Sequence, residues 1–69
     1  MRKIKWYNSR DAENGTIYWW TQRDRNGNSF EIRQRLLSKR FRLFANEIKR
    51  SDHDSLIEAQ RAARDLWVE

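Results

Sequence analysis

This chain contains two glycines and no proline, and each glycine follows an asparagine, at Asn14-Gly15 and Asn26-Gly27. Asn-Gly readily supplies the positive φ angles of a tight hairpin turn. With no other strong punctuation, these two dipeptides fix where the chain doubles back. Between them lies Thr16-Ile17-Tyr18-Trp19-Trp20-Thr21, whose β-branched and aromatic residues suit a pleated, half-buried strand. The spacing predicts strands over about 3–8, 15–24 and 28–36, joined as consecutive hairpins.

Two readings compete for the run after Asn28. Phe30, Leu37, Phe41, Phe44 and Ile48 fall at helical spacing, and nothing between 28 and 50 breaks a helix. Yet Phe30, Ile32, Gln34 and Leu36 alternate with Glu31, Arg33 and Arg35, and Phe41, Leu43 and Ala45 alternate with Arg40, Arg42 and Phe44. The strand reading is preferred, because a helix would strand Ile32, Leu36 and Leu43 in a second stripe cut off by Arg33, Arg40 and Glu47. It predicts a further strand over about 39–46. Ser55-Leu56-Ile57-Glu58 has the S-x-x-E spacing of a capping box, which predicts a helix over about 56–67. Leu56, Ala59, Ala62, Ala63, Leu66 and Trp67 would form its apolar face. The expected fold class is α+β: one domain, residues 1–69, with a three- or four-stranded antiparallel β-meander packed on one C-terminal helix.

Successive strand residues point to opposite faces, so of Trp19 and Trp20 one enters the core and one leaves it. With Asn26-Gly27 at the centre of a type I′ turn, Arg25 pairs with Asn28, Thr21 with Ile32, Trp19 with Gln34 and Trp20 with Arg33. Ile17, Trp19, Phe30, Ile32 and Leu36 then share the core face. A similar turn at Leu37-Ser38 adds Phe41, Leu43 and Ala45 to it. The open face becomes Tyr18, Trp20, Arg33, Arg35, Arg40 and Arg42. A one-residue slip would reverse this and expose Ile17 and Trp19.

The formal net charge is +5. Arg2, Lys3, Lys5 and Arg10 make the first ten residues +4, and seven Lys/Arg against Glu31 and Glu47 make residues 30–50 +5. Residues 52–69 hold five acids against Arg61 and Arg64. A basic middle and an acidic tail can present one cationic face to a polyanion. Guanidiniums pair with phosphates or base edges, and exposed rings stack on bases. The expected function is therefore nucleic-acid binding, with DNA foremost, through Tyr18, Trp20, Arg33, Arg35, Arg40 and Arg42. The alternative is a protein-interaction adaptor, inhibitor or homodimer that docks through Trp20, Tyr18 and Phe44 or through an edge strand. A third reading is a solvated face with no nucleic-acid role.

Catalytic signals are sparse. There is no cysteine, so neither a disulfide nor a thiolate metal site is available. The single histidine, His53, stands between Asp52 and Asp54 and reads as a solvated residue in a polar lead-in to the helix. No Gly-rich phosphate loop, metal-ligand spacing or nucleophile–base pair is visible. The chain is expected to be a non-enzyme with no cofactor, metal or small-molecule substrate. Without a signal peptide or an apolar run of membrane-spanning length, a cytoplasmic location with no membrane partner is expected.

Three strands followed by a helix, with arginines and aromatics on the open sheet face and Ser55-x-x-Glu58-Ala59 opening the helix, resembles the DNA-binding domains of the AP2 type and the arm-binding domains of tyrosine-family integrases. The likeness covers residues 3–67 and lies in the general layout. It implies a sheet that enters the major groove of DNA. The small, basic, self-contained chain also resembles short proteins of phages and other mobile elements.

Overall fold

The computed structural model describes residues 4–68. Five strands form one antiparallel sheet in sequential order: β1 (Tyr7–Asp11), β2 (Thr16–Trp20), β3 (Phe30–Arg35), β4 (Phe41–Ala45) and β5 (Ile48–His53). A single helix, α1 (Leu56–Leu66), follows and packs on β3, β4 and β5. The fold is α+β, and the strand reading of residues 30–46 holds over its helical rival.

The fifth strand departs from the expected three or four. It arises because Asn46 and Glu47 both adopt positive φ, 52° and 68°. Those angles at both central positions make a type I′ hairpin turn without any glycine. The chain therefore returns along β4 instead of drifting towards the helix. Leu43 pairs with Ser51 but Phe44 pairs with Lys49, which leaves Arg50 as an extra bulge residue. His53 accordingly lies on a strand, opposite Phe41, and not in the polar lead-in expected of it.

The first two strands also differ in their bounds. β1 begins at Tyr7, later than the expected 3–8, of which residue 3 lies outside the described residues. β2 ends at Trp20 instead of near residue 24. The reason is Asp24, whose side chain organises residues 24–28 as a closed loop. Its Oδ1 accepts from the backbone N–H groups of Asn26 and Asn28, each at 2.9 Å. Its Oδ2 accepts from the Asn28 side chain at 3.3 Å and from the Val68 N–H at 3.0 Å. Arg25 in turn donates its N–H to the Val68 carbonyl at 3.0 Å, so the loop is tied to the end of the chain. Asn26-Gly27 thus sits at the tip of a nine-residue connection, residues 21–29, and not at the centre of a two-residue turn.

The consequence is a register shift. Trp19 pairs with Ile32 and Trp20 with Glu31, where the tight turn would have set them opposite Gln34 and Arg33. The slip is two residues, so every side chain keeps its face. In the next hairpin Ile32 pairs with Leu43 and Arg33 with Arg42, the register expected from a turn at Leu37-Ser38.

Phe30, Ile32, Leu43, Ala59 and Ala63 are the buried core, and Trp6, Trp19, Phe41, Ala45, Leu56, Ala62 and Trp67 pack around it. The alanines let α1 approach the sheet closely. Ser55 caps the helix, its Oγ accepting from the Glu58 N–H at 3.2 Å. Leu36 is a correction to the expected core set. It falls beyond the end of β3 and is half exposed. Ile17 is partly buried.

Candidate functional site

The helix covers one side of the sheet. The other side presents the alternate residues Thr16, Tyr18 and Trp20 of β2, Glu31, Arg33 and Arg35 of β3, and Arg42 and Phe44 of β4, as the pairing Tyr18↔Arg33↔Arg42 requires. Trp20 is 40% exposed, whereas Trp19 is half-buried against the core with its ring 5.7 Å from that of Phe41. The tryptophan assignment therefore holds despite the changed register.

A concavity of about 380 Å³ opens on this face, lined by Asn14, Thr16, Tyr18, Arg33, Arg35, Ser38, Arg40, Arg42 and Phe44. All four expected arginines and Tyr18 meet there, and none of the nine lining residues is acidic. Trp20 lies outside it, in an adjoining hollow of about 230 Å³ that shares Arg33 and Phe44 with the first. The six expected residues thus occupy one continuous face with two depressions.

The four arginines are not equivalent. Arg33 ion-pairs with Glu31 through Nε and lies over the Phe44 ring at 4.1 Å and over the Tyr18 ring at 6.0 Å. Much of its capacity is already used. Arg40 approaches Asp52 at 3.9 Å, and Lys49 holds the same carboxylate at 2.9 Å. The Lys49 hydrogen bond, aided by the charges of Lys49, Arg40 and Arg42, keeps the Asp52 carboxyl below its ordinary pKa. Among the described residues, no hydrogen bond or ion pair engages the guanidinium of Arg35 or Arg42.

Residue-level reading missed several contributors. Tyr7 stacks on Trp20 with ring centroids 4.5 Å apart and planes 18° apart, because β1 pairs Tyr7 with Trp20. The bounds predicted for the first strand did reach Tyr7, but no register was available for it. Asn14 and Ser38 reach the concavity from the two turns at its end. Gly15 permits this closure, with φ at 59° and its carbonyl accepting from the Leu36 N–H at 2.8 Å. Phe44 alternates outward with Arg40 and Arg42 in the sequence, and its role as the partner of Arg33 follows only from the packing.

A hydroxyl–imidazole pair is also present, with Ser51 Oγ 2.6 Å from His53 Nε2. Both residues are half-buried and pair across to Leu43 and Phe41, so they belong to the helix-covered side and not to the arginine face. Among the described residues no group of three or more His, Cys, Asp or Glu side chains is arranged to hold a metal ion, and no helix is long and apolar enough to cross a membrane. No protein-family profile, curated protein or solved structure matches the chain.

Proposed function

We propose that this chain is a small nucleic-acid-binding domain, with DNA as its expected partner, which binds through the open face of its sheet. The observation that carries this reading is the concavity whose lining includes four arginines and no acid. Arg35 and Arg42 are the primary phosphate contacts, because no hydrogen bond or ion pair holds either guanidinium among the described residues, Arg42 feeling Asp52 only through its charge. Arg40 joins when a polyanion displaces its long contact to Asp52. Arg33, braced by Glu31 and Phe44, is a rigid edge that orients a base or sugar. Tyr18 and Trp20 supply ring surface. No step of this reading requires catalysis or a cofactor.

The test is salt dependence. With about three phosphates neutralised, log affinity falls with log salt at a slope of about −2 to −3. Arg35→Ala and Arg42→Ala should each lower affinity and reduce that slope by about one. Absence of DNA association at low salt would end the reading. A second reading, docking on a protein, rests on the two outer strands, whose free edges expose Asn8–Arg10 of β1 and Ile48–Arg50 of β5. It predicts an affinity that salt leaves nearly unchanged. A monomer throughout the micromolar range in sedimentation would exclude its homodimeric form.

A further inference from the structure

We infer that the open face is built for a single-stranded polynucleotide and not for the groove of a duplex. This rests on the proposed nucleic-acid function and narrows it. Strands lie about 4.7–4.9 Å apart, so five of them make a face about 19 Å across. A major groove about 12 Å wide admits a helix or a two-stranded ribbon. The sheet is too broad to enter it face-on.

The charge distribution points the same way. Arg33 and Arg35 lie on β3 and Arg42 on β4, with Arg40 just before that strand, so the cations sit at the middle of the sheet. The outer strands add no such strip to this face. Asp11 on β1 stands opposite Thr16, and on β5 Asp52, opposite Arg42, is paired with Lys49 of the same face. A duplex laid across the sheet would bring its two phosphate walls towards those flanks and leave the arginines over the groove floor. A single backbone carries one line of charge, and that line follows the central arginine strip.

The ring platform completes the match. Trp20 is 40% exposed yet backed by Tyr7 at 4.5 Å, so its orientation is held before any ligand arrives. A pre-oriented ring loses little side-chain freedom on binding. It borders the hollow that shares Arg33 and Phe44 with the arginine concavity and that Glu31 and Glu47 also line. A phosphate site continuous with an aromatic platform is how proteins hold unpaired bases without reading sequence. In a duplex the faces of the bases are already stacked on one another and offer Trp20 nothing.

The experiment compares a labelled oligothymidylate of about twenty nucleotides with a blunt duplex of the same length, by fluorescence anisotropy with the full chain in one low-salt buffer. The single strand should bind at least about tenfold more tightly, and Trp20→Leu, which keeps an apolar side chain against Tyr7 but no π-face, should lower that affinity about tenfold. Equal or tighter binding of the duplex would overturn this inference and leave the proposed function standing. Binding of neither probe would overturn both. If Trp20→Leu binds the single strand as tightly as the parent, the ring is not the platform and the inference fails on that ground.

Discussion

Asn46 and Glu47 hold the same left-handed backbone at the β4–β5 turn, yet replacing each with glycine should have opposite effects. Glu47 has φ of 68°, and its side chain makes no hydrogen bond or ion pair among the described residues. A left-handed conformation costs a non-glycine residue about 1–2 kcal/mol. Glycine removes that cost but loses about 0.4–1 kcal/mol more chain entropy on folding. The net for Glu47→Gly is a gain of about 0–1.6 kcal/mol, or about 0.8 kcal/mol at the middle of the range. For a domain of this size the middle value raises the melting temperature by roughly 3–6 °C. Asn46, at φ of 52°, tolerates the conformation better and also works as a clamp. Its Oδ1 accepts from the Ser29 N–H at 3.0 Å, and its Nδ2 donates to Asn28 Oδ1 at 2.9 Å. Asn46→Gly loses both bonds, at about 0.5–1.5 kcal/mol each, and gains little backbone relief. A loss of about 1–3 kcal/mol is expected. Thermal unfolding followed by far-ultraviolet circular dichroism on the parent and the two variants measures both. Destabilisation by Glu47→Gly, or a neutral Asn46→Gly, would refute the turn geometry and with it the placement of β5.

Three further outcomes follow from the packing. Ile32 is fully buried, so Ile32→Val should cost about 0.5–1.5 kcal/mol in urea unfolding, while Leu37→Ala, at a fully exposed turn position, should stay within about 0.5 kcal/mol of the parent. Burial raises the Asp24 carboxyl, but hydrogen bonds from Asn28, Val68 and Asn26 outweigh it and set the pKa below the ordinary 3.8. Its contribution to stability is therefore complete above that value and is lost as pH falls through the lower folded value. Melting temperatures from pH about 6 to 2 should drop more steeply in the parent than in Asp24→Asn, which starts lower at neutral pH. Trp19→Ala should lose about 3–5 kcal/mol through the cavity it leaves. Trp20→Ala should lose about 1–2 kcal/mol, because its stack with Tyr7 goes but no enclosed cavity forms; equal losses would contradict the facing of the two rings.

The faces of the sheet were legible in the sequence, and its registers only in part. Which side a strand residue takes depends on parity alone, so the alternation through Phe30, Ile32, Leu43 and Ala45 was enough to separate core from open face. Pairing depends on how many residues each connection consumes, and that is set by contacts distant in sequence. Asp24 reaches Val68 across 44 positions and holds the loop open around Asn26-Gly27. No local rule for Asn-Gly contains that bond. Likewise, the turn that creates β5 uses two non-glycine residues at positive φ, and the cross-loop bonds of Asn46 to Ser29 and Asn28 that hold it appear only after folding. The helix was predicted to within a residue because its signal, Ser55 accepting from Glu58, is confined to one turn.

For the candidate site, alternation brought the expected side chains to one face, but counting them overstated the charge they offer. Arg33 and Arg35 both alternate outward on β3, and nothing in their spacing distinguishes them. Folding does so by setting Glu31, two residues from Arg33 on the same face, against its guanidinium, and by bringing Phe44 beneath it through the Glu31↔Phe44 pairing. Arg35 lies at the far end of β3, opposite Thr16, where no carboxylate pairs with it among the described residues. Arg42 has an acid directly across from it in Asp52, yet Lys49 and Arg40 take that carboxylate. Two of the four arginines are thus engaged within the fold and two stand open. On the proposed function, affinity for a polyanion should accordingly track Arg35 and Arg42 far more closely than net charge.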